Sequence, residues 1–461
     1  MSSHSSIIVA SNRGPIRSDS AKYASGGLVQ ALMPSLINVA EQFSGTVDSK
    51  DVIWFSSNTS GLKDEESKSK LSGVTLWPVT VDEEIYKDAY GFISNRFLWF
   101  LHHGLFKFYP EPTYDDKFHS AWENFRTFNL LFAENIIDAA TEDSLVLIQD
   151  YHLSLVPNLL KKARPDLKIS HFSHIPFGTK EDFKNIPVSV ACELLTGINP
   201  EGTLAGFHTA LWENRFIEVY KSFIKIPPNT FSLGLGVDAK GLIETKNSKS
   251  FKDIQNQIDT GETALLVRSD RLEPSKNIIN GFLGFDKFLK DHPEFVDKII
   301  FKAFIYPSRT EVKEYCELSQ RVQEVVKTIN LNYQTSKYLP IDLIIQNDRL
   351  TSLAALSIAN IVMVNSFSDG MNLVVKEAVV VNEKDCSIIL SHNTGAYHEF
   401  KDFVIGIDPE DIANTAEAIY LALVQPKTVR KHNLETLKQL CKINTAETWF
   451  NKLVELTSNQ K

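Results

Sequence analysis

Five clusters of polar residues follow short apolar runs in this chain, and their types suit the handling of phosphates and sugar hydroxyls. Ile361–Val364 leads into Ser368-Asp369-Gly370-Met371-Asn372-Leu373-Val374-Val375-Lys376-Glu377. Gly370 lets the chain turn tightly, and a helix is expected from about Asn372, with free first-turn N–H groups that suit a pyrophosphate. Glu377, four residues after Leu373, shares its helix face and is suited to a ribose diol. Asp369, just outside the helix, is suited to sugar hydroxyls. The same residues would also serve as an ordinary helix cap. Ala264–Val267 runs into Arg268-Ser269-Asp270-Arg271-Leu272-Glu273-Pro274-Ser275-Lys276-Asn277. A departing diphosphate needs such cations, because its charge must be neutralised as the bond breaks; the alternative is a solvated charged loop. Leu145–Ile148 ends at Asp150-Tyr151-His152, and Ile169–Phe172 at His174-Ile175-Pro176-Phe177. Asp150 and His174 could bind hydroxyls or exchange protons, or stand as a helix cap and a satisfied buried histidine. After Ser6–Ala10 come Ser11-Asn12-Arg13-Gly14-Pro15, and then Ser25-Gly26-Gly27-Leu28 opens a helix. The glycine pair would bring backbone close to an anion and Arg13 would clamp a phosphate; a turn with a surface arginine is the plainer reading.

The elements that must position these groups alternate along the whole chain. Strands are expected at Ser6–Ala10, Val52–Ser56, Val74–Val81, Leu145–Ile148 and Ile169–Phe172, with a helix over Leu28–Phe43, broken or kinked at Pro34, and another over Ala121–Ala139. A second series begins near residue 262: strands Ala264–Val267, Ile299–Phe304, Ile341–Ile345, Ile361–Val364 and Ser387–Leu390. Its helices are expected at Ile278–Leu289, Arg309–Ile329, Leu350–Ile358 and Leu373–Val381. Asp408-Pro409-Glu410-Asp411 reads as a further helix start, with Asp408 as N-cap and Pro409 at the first position. Short two-sided apolar strands between helices indicate parallel sheets covered on both faces. Two such series predict an α/β chain of two Rossmann-like domains, with the pattern interrupted at Leu235–Lys249. Ligands of open α/β sheets bind beyond the carboxyl ends of the strands, so the expected active site is a cleft between the domains.

Composition narrows the class. In 461 residues, 43% are hydrophobic and 23% charged, ordinary for globular protein, and the net charge of −9 argues against nucleic-acid binding. The four cysteines form no C-x-x-C pair, which suits idle thiols in a reducing cytoplasm. The polar N-terminus lacks the pattern of a signal peptide, and no apolar run is long enough to span a bilayer. No P-loop, H-E-x-x-H, G-x-S-x-G or D-x-D pattern occurs.

Taken together and in order, SNRGP, SGGLVQAL, FISNRFLW, AWENFRTFNLLFAENI, DYHLSLVP, HIPF, GFHT, DRLEPSKN, YPSRTEV, SDGMNLVVKE and ILSHNTGAYHEF resemble the trehalose-6-phosphate synthase family of GT-B glycosyltransferases. The resemblance implies a GT-B fold with parallel sheets facing an interdomain cleft. It divides the chain into an acceptor-binding domain over 1–240, a nucleotide-sugar domain over 241–445 and a final helix over 446–461 that crosses back. It also implies roles. Arg271 and Lys276 would bind the diphosphate, Asp369 the donor sugar, the backbone of Met371, Asn372 and Leu373 the sugar and phosphates, and Glu377 the ribose. Gly27 would lie over the donor phosphates. His174 would sit near the transferred sugar and Asp150 beside the acceptor, with Arg13, Tyr90, Trp99 and Arg309 on the acceptor side. No cofactor and no metal are implied, and the family mechanism is retention, with the departing diphosphate itself taking the acceptor's proton.

The chain departs from the family pattern at Pro274 (usually tyrosine), Asn277 (usually glycine), Ser57 (usually tryptophan) and Gly178 (usually proline). Some of these departures, with Glu377–Asp385, are more like the validamycin-pathway pseudo-glycosyltransferase branch. The leading expectation is a cytoplasmic enzyme moving glucose from UDP-glucose or GDP-glucose to glucose 6-phosphate. Alternatives are another phosphorylated acceptor, glycerol 3-phosphate or an aminocyclitol phosphate, and a catalytically silent sugar-phosphate sensor. Neither nucleic acid nor membrane is an expected partner, and a homo-oligomer stays open.

Overall fold

The computed structural model describes residues 6–15, 27–43, 51–59, 68–258, 261–309 and 312–460. Ser25 and Gly26 of the expected glycine loop, and Thr310 and Glu311 after Arg309, lie outside them. The chain forms two compact units, Met1–Leu235 with Ala446–Lys461, and Gly236–Thr445.

The first unit is built on eight strands: β1 (Ser6–Ala10), β2 (Asp51–Asn58), β3 (Ser69–Leu71), β4 (Val74–Thr80), β5 (Leu145–Gln149), β6 (Lys168–Ser173), β7 (Leu204–Phe207) and β8 (Thr230–Ser232). Their order is β3-β4-β2-β1-β5-β6-β7-β8. All neighbours are parallel except the edge pair β3–β4. Every residue of β1 and β5 is buried, because Ile7, Ile8 and Val9, like Leu145–Ile148, face helices on both sides of the sheet. Order reverses between β1 and β5, so the loops after these two strands flank the crevice where open α/β sheets bind ligands. The helix Gly27–Phe43 runs unbroken through Pro34. Burial of Ala31, Leu32, Met33 and Leu36 on either side of the proline outweighs the one lost backbone bond. The closing helix Ala446–Ser458 joins this unit: Trp449 Nε1 donates to the Leu233 carbonyl and Thr457 Oγ1 to Ser170 Oγ.

The second unit carries β9 (Ala264–Arg271), β10 (Ile299–Tyr306), β11 (Ile341–Ile345), β12 (Ile361–Val364), β13 (Ser387–Ser391) and β14 (Ile405–Ile407). Their order is β11-β10-β9-β12-β13-β14, all parallel. Alternate residues feed two cores. Leu265, Val267, Val362 and Val364 pack on one face, and Leu266, Phe301, Ile361 and Met363 on the other. In sequence rank this is the doubly wound order 3-2-1-4-5-6, with its switch point between β9 and β12. Loops 271–277 and 365–372 leave the sheet at that point.

Several expectations are corrected. The stretch at Leu235–Lys249 does not merely interrupt the pattern; it leads into helices Ala239–Lys246 and Lys249–Ile258. The helix expected from Arg309 begins at Lys313, and Arg309 itself sits at φ 46. Asp408 is not the N-cap of the late helix. Asp411 is, accepting from Asn414 N, and the helix runs Ile412–Val424. Among the described residues, no helix is long and apolar enough to cross a membrane.

Candidate active site

In the second unit the two switch-point loops bring Lys276 and Asp369 together. The Lys276 ammonium lies 2.5 Å from Asp369 Oδ2, with 13% and 14% of the two side chains exposed. Burial alone would lower the lysine's pKa, but Asp369, Asp270 and Glu273 together hold it above its ordinary value. Lys276 is therefore a fixed positive charge. Asp369 Oδ2 also accepts from Asn372 Nδ2 at 3.0 Å and from Ser366 Oγ at 3.4 Å. Arg271, at the end of β9, is 54% exposed, with Nε 3.4 Å from Glu273 Oε1. Arg268 is not part of this cationic surface. It is fully buried, paired with Asp270 at 2.8 Å, and donates to the carbonyls of Lys276 and Ile278. Burial raises the Asp270 pKa, opposed by the charges of Arg268 and Lys276.

The left-handed turn before the helix falls on Asn372 (φ 65), not on Gly370. Asn372 is the N-cap of Leu373–Val381, its Oδ1 accepting from Val375 N. Asp369, Met371 and Leu373 thus lie at or just before a helix N-terminus, whose first N–H groups have no intrahelical acceptor. Gly395 supports this stretch: a Cβ there would fall 2.0 Å from the Gly370 carbonyl oxygen and 2.9 Å from Met371 Cα. Gly395→Ala is expected to push the 369–371 segment aside and cost about 1–3 kcal/mol of stability, readable as a lowered urea midpoint; an unchanged midpoint would show that the segment gives way freely. One turn into the helix, Glu377 is held by Arg349 at 2.6 Å. Arg309 lies beyond β10 in this unit, 8% exposed, with Nη1 3.1 Å from buried Glu273 and 2.8 Å from the Tyr315 hydroxyl.

In the first unit, the loops after β1 and β5 meet a wide-turned helix. Arg13 donates to the Tyr90 hydroxyl and packs over its ring. Tyr90 stacks between Tyr86 and His152, with centroids 5.0 and 5.7 Å away. Tyr90 lies in a π-helical segment, Lys87–Leu98, which hands over to Trp99–His102; such segments recur at functional sites. Trp99 is buried against His103 and Tyr151. Asp150 holds a left-handed backbone at φ 72 and accepts from His174 N through Oδ1 at 3.2 Å. His174 is fixed at both ring nitrogens, by Gln149 Oε1 at 2.9 Å and His208 Nε2 at 3.3 Å. Burial first, then His208 and His171, pushes its pKa well below the ordinary value, so it stays neutral. Gly27 begins the helix Gly27–Phe43 on the exposed side.

The structure thus gathers Lys276, Asp369 and Asn372 into one cluster, Arg271 and Arg309 around Glu273, and Arg13, Tyr90, Asp150 and His174 along another strand-end line; Glu377 pairs with Arg349. Gln149, His208 and Arg349 were not singled out from sequence. His208 was within reach, lying in the GFHT stretch, whereas Gln149 and Arg349 offer no signal apart from their tertiary partners. Two departures are accommodated by the local backbone. Asn277 occupies φ 53, which asparagine tolerates nearly as glycine does. Gly178 has the Leu101 carbonyl 2.9 Å from where a Cβ would be. Among the described residues, no group of three or more His, Cys, Asp or Glu is arranged to hold a metal ion.

Comparison with known proteins places the chain in a family. The profile of glycosyltransferase family 20 matches residues 5–459. The chain is 30% identical to the UDP-forming α,α-trehalose-phosphate synthase of Emericella nidulans, over 98% of this chain and 92% of that protein. Among solved structures, the Escherichia coli protein bound with UDP-2-fluoroglucose superposes with a TM-score of 0.85 at 20% identity, covering 99% of both chains. The UDP-forming α,α-trehalose-phosphate synthase of Burkholderia xenovorans in complex with glucose 6-phosphate gives 0.82 at 22%, covering 98% of this chain and all of that one. The fold is that of the GT-B trehalose-6-phosphate synthases, and the chain belongs to glycosyltransferase family 20.

Proposed function

We propose that this enzyme transfers glucose from UDP-glucose to glucose 6-phosphate, forming α,α-trehalose 6-phosphate with retention at the anomeric carbon. The observation that carries the reading is the Lys276–Asp369 pair at the β9/β12 switch point, where a cation for a diphosphate and a carboxylate for sugar hydroxyls lie side by side. The 30% identity to a UDP-forming synthase over nearly the whole chain supports both the nucleotide and glucose 6-phosphate over the other acceptors considered.

In this reading Lys276 and exposed Arg271 neutralise the diphosphate as the glycosidic bond breaks, the charge work that other transferases give to a metal ion. Asp369 and the backbone of Met371, Asn372 and Leu373 hold the donor sugar and phosphates, with Gly27 over the phosphates. Glu377, oriented by Arg349, takes the ribose. Asp150 and neutral His174 bind hydroxyls, and Arg13, Tyr90, Trp99 and Arg309 take the acceptor, the arginines and tyrosine at its phosphate. The diphosphate oxygen accepts the acceptor's proton on the face it leaves, so the reaction needs no carboxylate pair as nucleophile and acid. Orientation and electrostatics then supply the rate, oriented reactants contributing roughly 7–11 kcal/mol. Four free cysteines suit a cytoplasmic setting.

The test is a substrate matrix: UDP-glucose and GDP-glucose, each against glucose 6-phosphate, glycerol 3-phosphate and no acceptor, with products read by mass. A hexosyl-hexose phosphate from UDP-glucose and glucose 6-phosphate alone is expected; bound nucleotide with no such product would overturn the acceptor assignment. Arg309→Lys keeps a positive partner for buried Glu273 but loses the planar fork. It should raise KM for glucose 6-phosphate by about tenfold and leave the donor KM within about twofold; equal effects on both would sink the acceptor role of Arg309.

A further inference from the structure

The loop that carries Lys276 is tied down by its last residue. Asn277 ends the short turn Pro274–Lys276 in a left-handed conformation, φ 53 and ψ 41. Glycine would adopt that conformation at less steric cost, so the backbone alone gives no reason for an amide. The side chain has one. It is buried, and its Nδ2 donates to the carbonyls of Asn365 at 3.0 Å and Pro409 at 2.6 Å. The Asn365 amide replies, donating to the Asn277 carbonyl at 3.0 Å. Phe367 N donates to the Ser275 carbonyl at 2.9 Å, and Arg268 Nη2 to that of Lys276 at 3.1 Å. The segments that follow β9, β12 and β14 therefore meet at one buried amide, adjacent in sequence to Lys276 and four residues from Asp369 through Asn365.

We propose that Asn277 is a positioning residue: by clamping the loop after β9 to the loop after β12, it fixes the place at which the Lys276 ammonium meets the nucleotide diphosphate. A lysine is a point charge on four rotatable carbons, so where its charge sits depends on where its Cα is held. The clamp acts through Lys276, and the proposal rests on the diphosphate role of that lysine.

The test is calorimetric titration of UDP into the full-length protein and three variants, Asn277→Gly, Lys276→Ala and the double variant. Asn277→Gly keeps the left-handed turn and removes both donated bonds; it is expected to weaken UDP binding about tenfold. In the Lys276→Ala background the same change should add less than about twofold, since a clamp with nothing to position has no effect on the ligand. If Asn277→Gly binds UDP as tightly as the wild type, or if the two losses simply add, Asn277 is a general stabiliser and the inference fails. Wild-type affinity in Lys276→Ala alone would instead sink the diphosphate role beneath it. Asn277→Asp, which keeps the shape and sets a carboxylate against two carbonyls, is the second variant should the glycine form not fold, and it should lose at least as much affinity.

Discussion

Replacing Lys276 by alanine is expected to lower kcat by about a hundredfold to a thousandfold, with a smaller change in KM for UDP-glucose. The charge on the leaving diphosphate grows as the bond to the sugar breaks, so a cation fixed beside it favours the transition state over the ground state. Lys276 is prepared for this. Its raised pKa keeps it charged, its backbone is anchored by Arg268, and in the absence of ligand its charge is balanced by Asp369. The variant should stay folded, because Asp369 keeps Asn372 and Ser366 as partners and retains some access to water. Steady-state kinetics checks this: a folded variant with kcat within about threefold of wild type would mean that leaving-group charge is handled elsewhere.

An early acid unfolding is the second expected result. Burial lowers the pKa of His102 to about 3 and of His171 to about 4, and holds His174 well below its ordinary value. All three lie in the unit Met1–Leu235 with Ala446–Lys461. Folded, they are neutral; unfolded, each takes a proton near pH 6.5. Stability from these groups is therefore complete above about pH 6.5 and is lost as pH falls toward 4. Each group costs about 1.4 kcal/mol per pH unit in that window, so three together cost roughly 4 kcal/mol per unit. Two pH units then remove about 8 kcal/mol, a large share of a typical total of about 5–15 kcal/mol. Urea midpoints at pH 7.5, 6.0 and 5.0 should drop steeply. A flat series would show that these histidines protonate without unfolding.

Much of the candidate site was legible because its polar residues sit directly after short apolar strands, where periodicity changes abruptly. SDGMNLVVKE and DRLEPSKN announce themselves this way, and the sheet order then brings both loops to one switch point. The parts that escaped depend on tertiary partners. Arg268 reads as one more loop cation, and only burial against Asp270 shows it to be internal scaffolding. Asp408 and Asp411 are equally good caps on paper; the Asn414 amide nitrogen decides for Asp411. The π-helical turns under Tyr90 have no sequence signature, and the short strands β7, β8 and β14 carry too few apolar residues to stand out. Gln149 and Arg349 matter only through His174 and Glu377, far from them in sequence.

The most direct test of the account is the proton NMR spectrum of the product formed from UDP-glucose and glucose 6-phosphate. Two α-configured anomeric signals and a single phosphomonoester are expected, as in α,α-trehalose 6-phosphate. A β-anomeric signal from the transferred sugar would contradict retention, and free glucose with unchanged glucose 6-phosphate would contradict transfer itself.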